Sequence, residues 1–368
     1  MERGRQPTLG DVAARANVSK QTISRVINNK GDVAAATRQR VLEAIRELGY
    51  QPNALARSLV TSRSLVIGLS VPNIDQPFFP QIARGVEDAA AENGYSVFLC
   101  NASGSEGREL NAIERLRGHQ VAGIISFNSK LNDETIERAV GGLFPVVMIN
   151  RELAQSPGTV IWPGYEPGAR LATEHLLRLG RRRIVFLGMD RESNVDSSKF
   201  AGYTVALERA GIELDPELIV RAAGRIGRGF NDLLRGGENA IRETVEAGVD
   251  FDAVFASNDL PGVGAMRCLI ASGVQIPEDV AIAGFGDANV AGIVTPPLTT
   301  VTMPLYEMGT TAFYTLLDRI NNAEHEPRQV SISPKLIIRE SSVSSNAALQ
   351  DSEMPPERSL ANEPLPTD

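Results

Sequence analysis

Two cysteines and three histidines among 368 residues leave little material for covalent staples or metal clusters. Cys100 and Cys268 sit inside apolar runs without CxxC spacing, so they read as buried free thiols. His119, His175 and His325 are scattered, and no metal is expected. No apolar run approaches the roughly 20 residues needed to cross a bilayer. The opening MERGRQPTLGD has no basic stretch followed by an apolar core, so a cytoplasmic location is expected. No GxGxxG or GxxxxGK[ST] stands at a strand-to-helix turn, since GFGDAN and GRIGRG both fail the spacing. Nor do a nucleophile, a base and an orienting acid converge on one motif, so neither an enzyme nor a cofactor is expected.

What is present is the composition of a soluble globular protein, 42% hydrophobic, long enough to bury about three quarters of its unfolded surface. The net charge of −8 conceals an asymmetry. Residues 1–63 carry 11 Lys and Arg against 5 Asp and Glu, a balance of +6 that leaves −14 for the remainder. A basic head on an acidic body points to a localised polyanion partner, because phosphate would otherwise be repelled.

Residues 8–49 read as three short helices with no strand signal. Thr8 caps the first, which runs to about Ala16, with Asp11 three positions on. After a turn at Asn17-Val18, Ser19 caps the second, where Ile23, Val26 and Ile27 recur as one buried stripe. The third, Ala35 to Leu48, is expected to bury Val41, Leu42, Ile45 and Leu48 and to stop at Gly49. Within VSKQTISRVIN, residues 18–28, Lys20, Gln21 and Arg25 lie opposite the aliphatic stripe. An amide and a guanidinium one turn apart suit bidentate pairing with adenine and guanine edges in the major groove. A polar face is also what any surface helix has, so the charge of the head carries much of the argument.

NALARSLVTSRS, after Gln51-Pro52, is too short and polar for a core of its own and reads as a linker. From Ser64 the apolar strands SLVIGLSV, YSVFLCN, VAGIISF, FPVVMIN, RIVFLG, DAVFAS and VAIAGFG alternate with amphipathic helices. Continuous apolar strands so separated imply parallel sheets covered on both faces, here in two lobes of an α/β core. From about Ser342 the Ser-, Asn-, Pro- and acid-rich composition reads as a disordered tail without leucine heptads. Arg181, Arg182 and Arg183, between a helix and a strand, read as a solvated loop, not a second nucleic-acid patch.

TLGDVAARANVSKQTISRVINN followed by TRQRVLEAIRELGYQPNALARSL closely resembles the DNA-binding head of the lactose-repressor family. The resemblance continues in order through IGLSVPNIDQPFF, GARLATEHLLRLGRRRIVFLG, FAGYTVAL, ASNDLPGVGAM, IPEDVAIAGFGD and PPLTTVTMPLYEMG, covering residues 8 to about 341. It implies a helix-turn-helix head (1–50), a hinge segment (51–63), a two-lobed core like periplasmic sugar-binding proteins (64–341) and a tail (342–368). It further implies a homodimeric regulator, most simply a repressor, bound to a palindromic operator and controlled by a small sugar-like effector. In this family Lys20, Gln21 and Arg25 match base-reading positions, and Thr22, Ser24 and Asn28 match phosphate contacts. Leu59 matches a leucine that wedges into the minor groove, with Ala56 allowing close packing and Arg57 meeting phosphate. Ala34 departs from a frequent capping serine and predicts a frayed start to the third helix.

For the effector cleft the resemblance points to Asp75, Phe78, Phe79, Phe127, Asn150, Arg151, Lys199, Asn258, Asp259 and Asp287. Most follow predicted strand ends, where open parallel sheets bind ligands. Phe78 and Trp162 could stack on a sugar, although packing is the simpler reading of Trp162. Three departures restrict what is inherited: Lys199 replaces the usual arginine, and Gly286 and Asn150 replace usual aspartates. The loss of negative charge beside retained Lys199 and Arg151 would suit a sugar acid or sugar phosphate. The rival reading, a transport-type sugar-binding protein with no DNA role, would lack the basic head.

Overall fold

The computed structural model describes residues 7–27, 31, 33–50, 64–76, 78–102, 105–127, 131–141, 144–150, 159–189, 194–222, 230–322 and 329–344. Two compact units divide the chain, Met1–Leu65 and Val66–Asp368. The expected hinge with Ala56, Arg57 and Leu59, together with Asn28, Arg151 and residues 345–368, lies outside the described residues.

In the first unit, α1 (Leu9–Ala16) opens with a reciprocal cap: Asp11 N–H donates to Thr8 Oγ1, and Asp11 Oδ2 accepts from Thr8 N–H. Asn17 takes the left-handed conformation at φ 53° and turns the chain into α2 (Lys20–Ile27). Ser19 Oγ accepts the Thr22 N–H at 3.1 Å, satisfying an end group of α2. No side chain caps α3 (Ala35–Leu48) at Ala34, and Gly49 ends it at φ 60°. Val12, Ala13, Ala16, Ile23, Val26, Val41 and Ala44 form the core, with Ile45 and Leu48 half-buried against it. Leu42, expected inside, is 42% exposed. It lies one residue past Val41, a turn of about 100°, which carries it off the inner face.

The second unit holds two six-stranded sheets. Lobe 1 has the order β11-β5-β4-β3-β1-β2, from β1 (Val66–Val71), β2 (Ser96–Asn101), β3 (Ile124–Phe127), β4 (Val146–Ile149), β5 (Thr159–Trp162) and β11 (Gln329–Ser331). Lobe 2 has β12-β10-β9-β8-β6-β7, from β6 (Ile184–Gly188), β7 (Ile219–Arg221), β8 (Ala253–Ala256), β9 (Ala281–Gly286), β10 (Thr299–Thr302) and β12 (Lys335–Ile337). Among the described residues all strand pairings are parallel except β10 with β12. The helices covering lobe 1 are α4 (Phe79–Glu92), α5 (Glu106–Gly118), α6 (Asp133–Val140) and α12 (Leu305–Asn321). Those covering lobe 2 are α7 (Tyr165–Arg178), α8 (Asn194–Arg209), α9 (Phe230–Glu246), α10 (Asp259–Ala271) and α11 (Asn289–Ile293).

Each sheet has an apolar layer on both faces, which explains why its strands are apolar at every position rather than alternately. The edge strand β2 departs from this. Phe98 and Leu99 are 42% and 47% exposed, since a strand at the rim has a neighbour on one side only. Helices α4 and α12 cross closely where Gly85 and Gly309 meet, and a Cβ on either would run into the other helix's backbone.

Two sequence readings are corrected here. The expected tail begins too early: Ser342 and Val343 are buried, and Ser342 Oγ lies 2.8 Å from His175 Nε2 and 2.6 Å from Thr299 Oγ1. The arginine run is not idle either. Arg181 donates to the carbonyls of Pro277, Glu278 and Asp279, while the Arg182 and Arg183 N–H groups donate to Asp252. Arg183 also pairs with Asp215 and Asp250, so the run fastens the foot of β6 to neighbouring loops.

The chain passes between the lobes after β5, after β10 and after β11. The first and last of these lie side by side: Ile332 N–H donates to Trp162 O at 3.1 Å, and Gly164 abuts Pro334 and the Ile332 carbonyl. Gly164 is at φ 61°, so both its backbone and its missing Cβ suit this point.

Candidate functional site

In α2, Lys20, Gln21 and Arg25 are exposed on the face opposite buried Ile23 and Val26. Thr22 and Ser24 are half-buried at its margin, with Thr22 Oγ1 2.9 Å from Ser19 Oγ. The Arg38 guanidinium of α3 reaches the Val26 carbonyl at 3.5 Å, so the reading helix is held near both ends. The arrangement presents two long cations and an amide on one rigid surface, the donor set that reads base edges and meets phosphate.

In the two-lobed unit a cavity of about 110 Å³ opens at the carboxyl ends of the strands. Lobe 1 contributes Gln76 and Phe78 after β1, Phe127 closing β3, Asn150 after β4, and Leu305. Lobe 2 contributes Tyr165, Met189 after β6, Val195, Asp196 and Lys199 on α8, Leu233, Asn258 after β8, Phe285 and Gly286. Mostly apolar walls with a few convergent polar groups are what a small polyhydroxylated or ring-bearing ligand needs.

Electrostatics organise the lobe 2 side. Lys199 Nζ donates to Ser257 O at 2.7 Å and lies 4.2 Å from the Phe285 ring centroid and 5.1 Å from that of Tyr165. Burial lowers its ammonium to about 8, with Asp196 and Asp259 pulling the other way. Asp196, 4% exposed, accepts from Met189 N–H at 2.9 Å and from Arg221 at 2.7 Å, both at Oδ2. That meeting depends on Gly188, where a Cβ would collide with the Arg221 guanidinium. Burial raises the Tyr165 hydroxyl well above its ordinary value, against a hydrogen bond from the Asn150 side chain. Asn150 Oδ1 is itself buried and meets no partner.

Of the sequence-derived effector residues, Phe78, Phe127, Asn150, Lys199 and Asn258 come together on the cavity wall. The others lie elsewhere. Phe79 is 1% exposed in the lobe 1 core, its ring 4.4 Å from Phe78 and 4.8 Å from Phe127, so it supports the wall from behind. Trp162 packs edge-on against Tyr165 at 5.1 Å. Asp75 is exposed, with its N–H bonded to Asn73 Oδ1. Asp287 spends its carboxylate on Arg339 at 2.6 Å. Asp259 is occupied within the fold: Thr300 Oγ1 donates to Oδ1 at 2.6 Å and Ala288 N–H to Oδ2 at 2.7 Å. Burial still pushes its carboxyl up to about 6.

Gln76, Tyr165, Met189, Asp196 and Phe285 were not singled out from the sequence. Asp196 carried one usable signal, since it precedes Lys199 by three residues on the same helix and so shares its face.

A reading-helix head followed by a two-lobed, cleft-bearing core defines the class of ligand-responsive DNA-binding regulators. A family model described as "Bacterial regulatory proteins, lacI family" matches residues 8–53, and one described as "Periplasmic binding protein-like domain" matches residues 173–342. The chain is 36% identical to the HTH-type transcriptional regulator CelR of Thermobifida fusca over 93% of its own length and all of that protein. The CelR–cellobiose complex aligns with a TM-score of 0.67 at 33% identity, covering 91% of this chain and all of the other. The lac repressor dimer bound to operator and the anti-inducer ONPF aligns with a TM-score of 0.82 at 28% identity, covering 92% of this chain and all of the other. The chain belongs to the LacI family, and it is a DNA-binding transcriptional regulator with a periplasmic-binding-protein-like effector domain.

Proposed function

We propose that this regulator acts in the cytoplasm as a homodimeric repressor whose grip on a palindromic operator is set by a sugar-like ligand in the cleft between lobes. The observation that carries the reading is a cavity walled by both lobes at their strand ends, in a unit whose chain crosses between the lobes three times. A ligand that touches both walls favours one lobe arrangement over another, and about 1–3 kcal/mol of such preference changes operator affinity roughly 5- to 150-fold. Lys20, Gln21 and Arg25 are assigned to base edges, and Thr22, Ser24 and Asn28 to phosphate. Ala56, Arg57 and Leu59 are assigned to the minor groove. Phe78, Phe127, Asn150, Lys199 and Asn258 are assigned to the ligand, with Arg151 beside them in sequence. No catalytic role is assigned.

The cavity's charge supports a neutral sugar over the anionic one that the sequence departures favoured. Lys199 is already answered by Asp196, Asp259, a carbonyl and two rings, and Arg221 is answered by Asp196. Mobility shift with the DNA flanking the protein's own coding region, with and without cellobiose, ribose and glucose, tests the whole reading. The expected outcome is a sequence-specific complex whose midpoint moves with at least one sugar. Equal binding to random DNA at moderate salt would overturn it.

A further inference from the structure

Besides the side chains already assigned to the ligand, the cleft holds a buried ion pair that the family resemblance did not predict. Asp196 lines the cavity at 4% exposure, and its Oδ2 is anchored twice, by the Met189 N–H at 2.9 Å and by the Arg221 guanidinium at 2.7 Å. Two anchors on one oxygen fix the plane of the carboxylate, and an ionised carboxylate can only accept hydrogen bonds. Across the cleft, in lobe 1, the Asn150 side chain donates one hydrogen bond to the Tyr165 hydroxyl and leaves Oδ1 buried without a partner. A buried acceptor so placed is stabilised by a ligand that donates to it. Lys199 is committed to Ser257 O and two aromatic rings, and Arg221 pairs with Asp196 through one terminal nitrogen while its buried Nε meets no partner. Toward the ligand the two lobes thus present two fixed acceptors, Asp196 and Asn150 Oδ1, and a second anion placed against them would meet the Asp196 charge.

We propose that Asp196, held by Arg221, is a specificity-determining residue of the cleft: it accepts a hydroxyl of an uncharged sugar and excludes sugar acids and sugar phosphates. This deepens, and rests on, the reading of the cavity as the effector site. Asn150 Oδ1 accepts from a second hydroxyl on the other side of the same ligand, so the sugar bridges the lobes through two donors. Gly188 belongs to the device, because any side chain there would part Arg221 from Asp196.

The test is calorimetric titration of the full-length protein with matched probes: glucose against gluconate and glucose 6-phosphate, and cellobiose against cellobionate. The variants are Asp196→Asn, which removes the charge and keeps the shape, Asp196→Glu, which keeps the charge, and Arg221→Gln, which removes the anchor. Thermal melting establishes that each is folded. The wild type is expected to bind a neutral sugar in preference to its acidic counterpart. In Asp196→Asn, neutral affinity should fall about tenfold, while affinity for the anionic counterpart rises because two cations lose their balancing carboxylate. Asp196→Glu should still exclude anions, and Arg221→Gln should weaken the neutral sugar without admitting the anion. A merely structural carboxylate would lower both affinities together. Wild-type preference for an acid or phosphate, or an unchanged neutral-to-anion ratio in Asp196→Asn, would overturn the proposal alone. If wild type binds no probe of either charge, the effector-cleft reading falls and takes this inference with it.

Discussion

Two carboxylates in lobe 2 illustrate how the same residue type divides its labour. Asp196 lines the cavity beside its guanidinium, whereas Asp259 sits below, fully enclosed by Thr300 and the Ala288 N–H. Desolvation dominates at Asp259 and lifts its carboxyl from 3.8 to about 6. Over that window the folded state binds more protons than the unfolded chain, so stability falls as pH rises from 3.8 to about 6 and then levels off. The loss is about 3 kcal/mol, and Asp259→Asn should flatten it, as melting temperatures measured across the window would reveal. In the head, Arg25→Ala should relax base preference at one operator position by about 1–3 kcal/mol. Competition binding with single-base operator variants checks this, and undiminished discrimination would refute the role given to Arg25.

Helices and strands were legible where one physical pattern ruled a segment. The three head helices came from caps and stripes, and their bounds at Leu9–Ala16, Lys20–Ile27 and Ala35–Leu48 follow those signals closely. Seven apolar runs marked β1–β4, β6, β8 and β9; burial on both faces leaves no room for polar residues in all of these but β2, which is apolar despite its exposed edge position. By contrast β7, β11 and β12 are only three residues long, too short for any periodicity to declare itself. β10 hid inside PPLTTVTMP, where threonines face both ways. Phe78, Phe127, Asn150, Lys199 and Asn258 line the cavity, while Asp75, Phe79, Trp162, Asp259 and Asp287 do not. Sequence order puts them next to the wall, but only side-chain packing shows them facing away from it. The α4–α12 crossing was invisible for a similar reason, since a glycine in a helix says nothing about which backbone it admits. Gly309→Ala should destabilise lobe 1 by about 1–3 kcal/mol, because the obstacle is the Ile82 carbonyl and not a movable side chain. Urea unfolding would measure the difference.

At the scale of the molecule, neither lobe is one continuous stretch of sequence. α12 follows a lobe 2 strand yet packs against α4 of lobe 1, and the last two strands are shared out, β11 to one sheet and β12 to the other. A chain ending after Asn322 should therefore give no cooperative melting transition in either lobe, rather than one intact and one lost, which differential scanning calorimetry can distinguish. Those closing strands also mean that synthesis must pass Ser331 before lobe 1 can be finished and Ile337 before lobe 2 can. A chain that stops before β11 therefore leaves both halves of the core unfinished, whereas the head, a compact unit of its own, lies wholly within the first 65 residues.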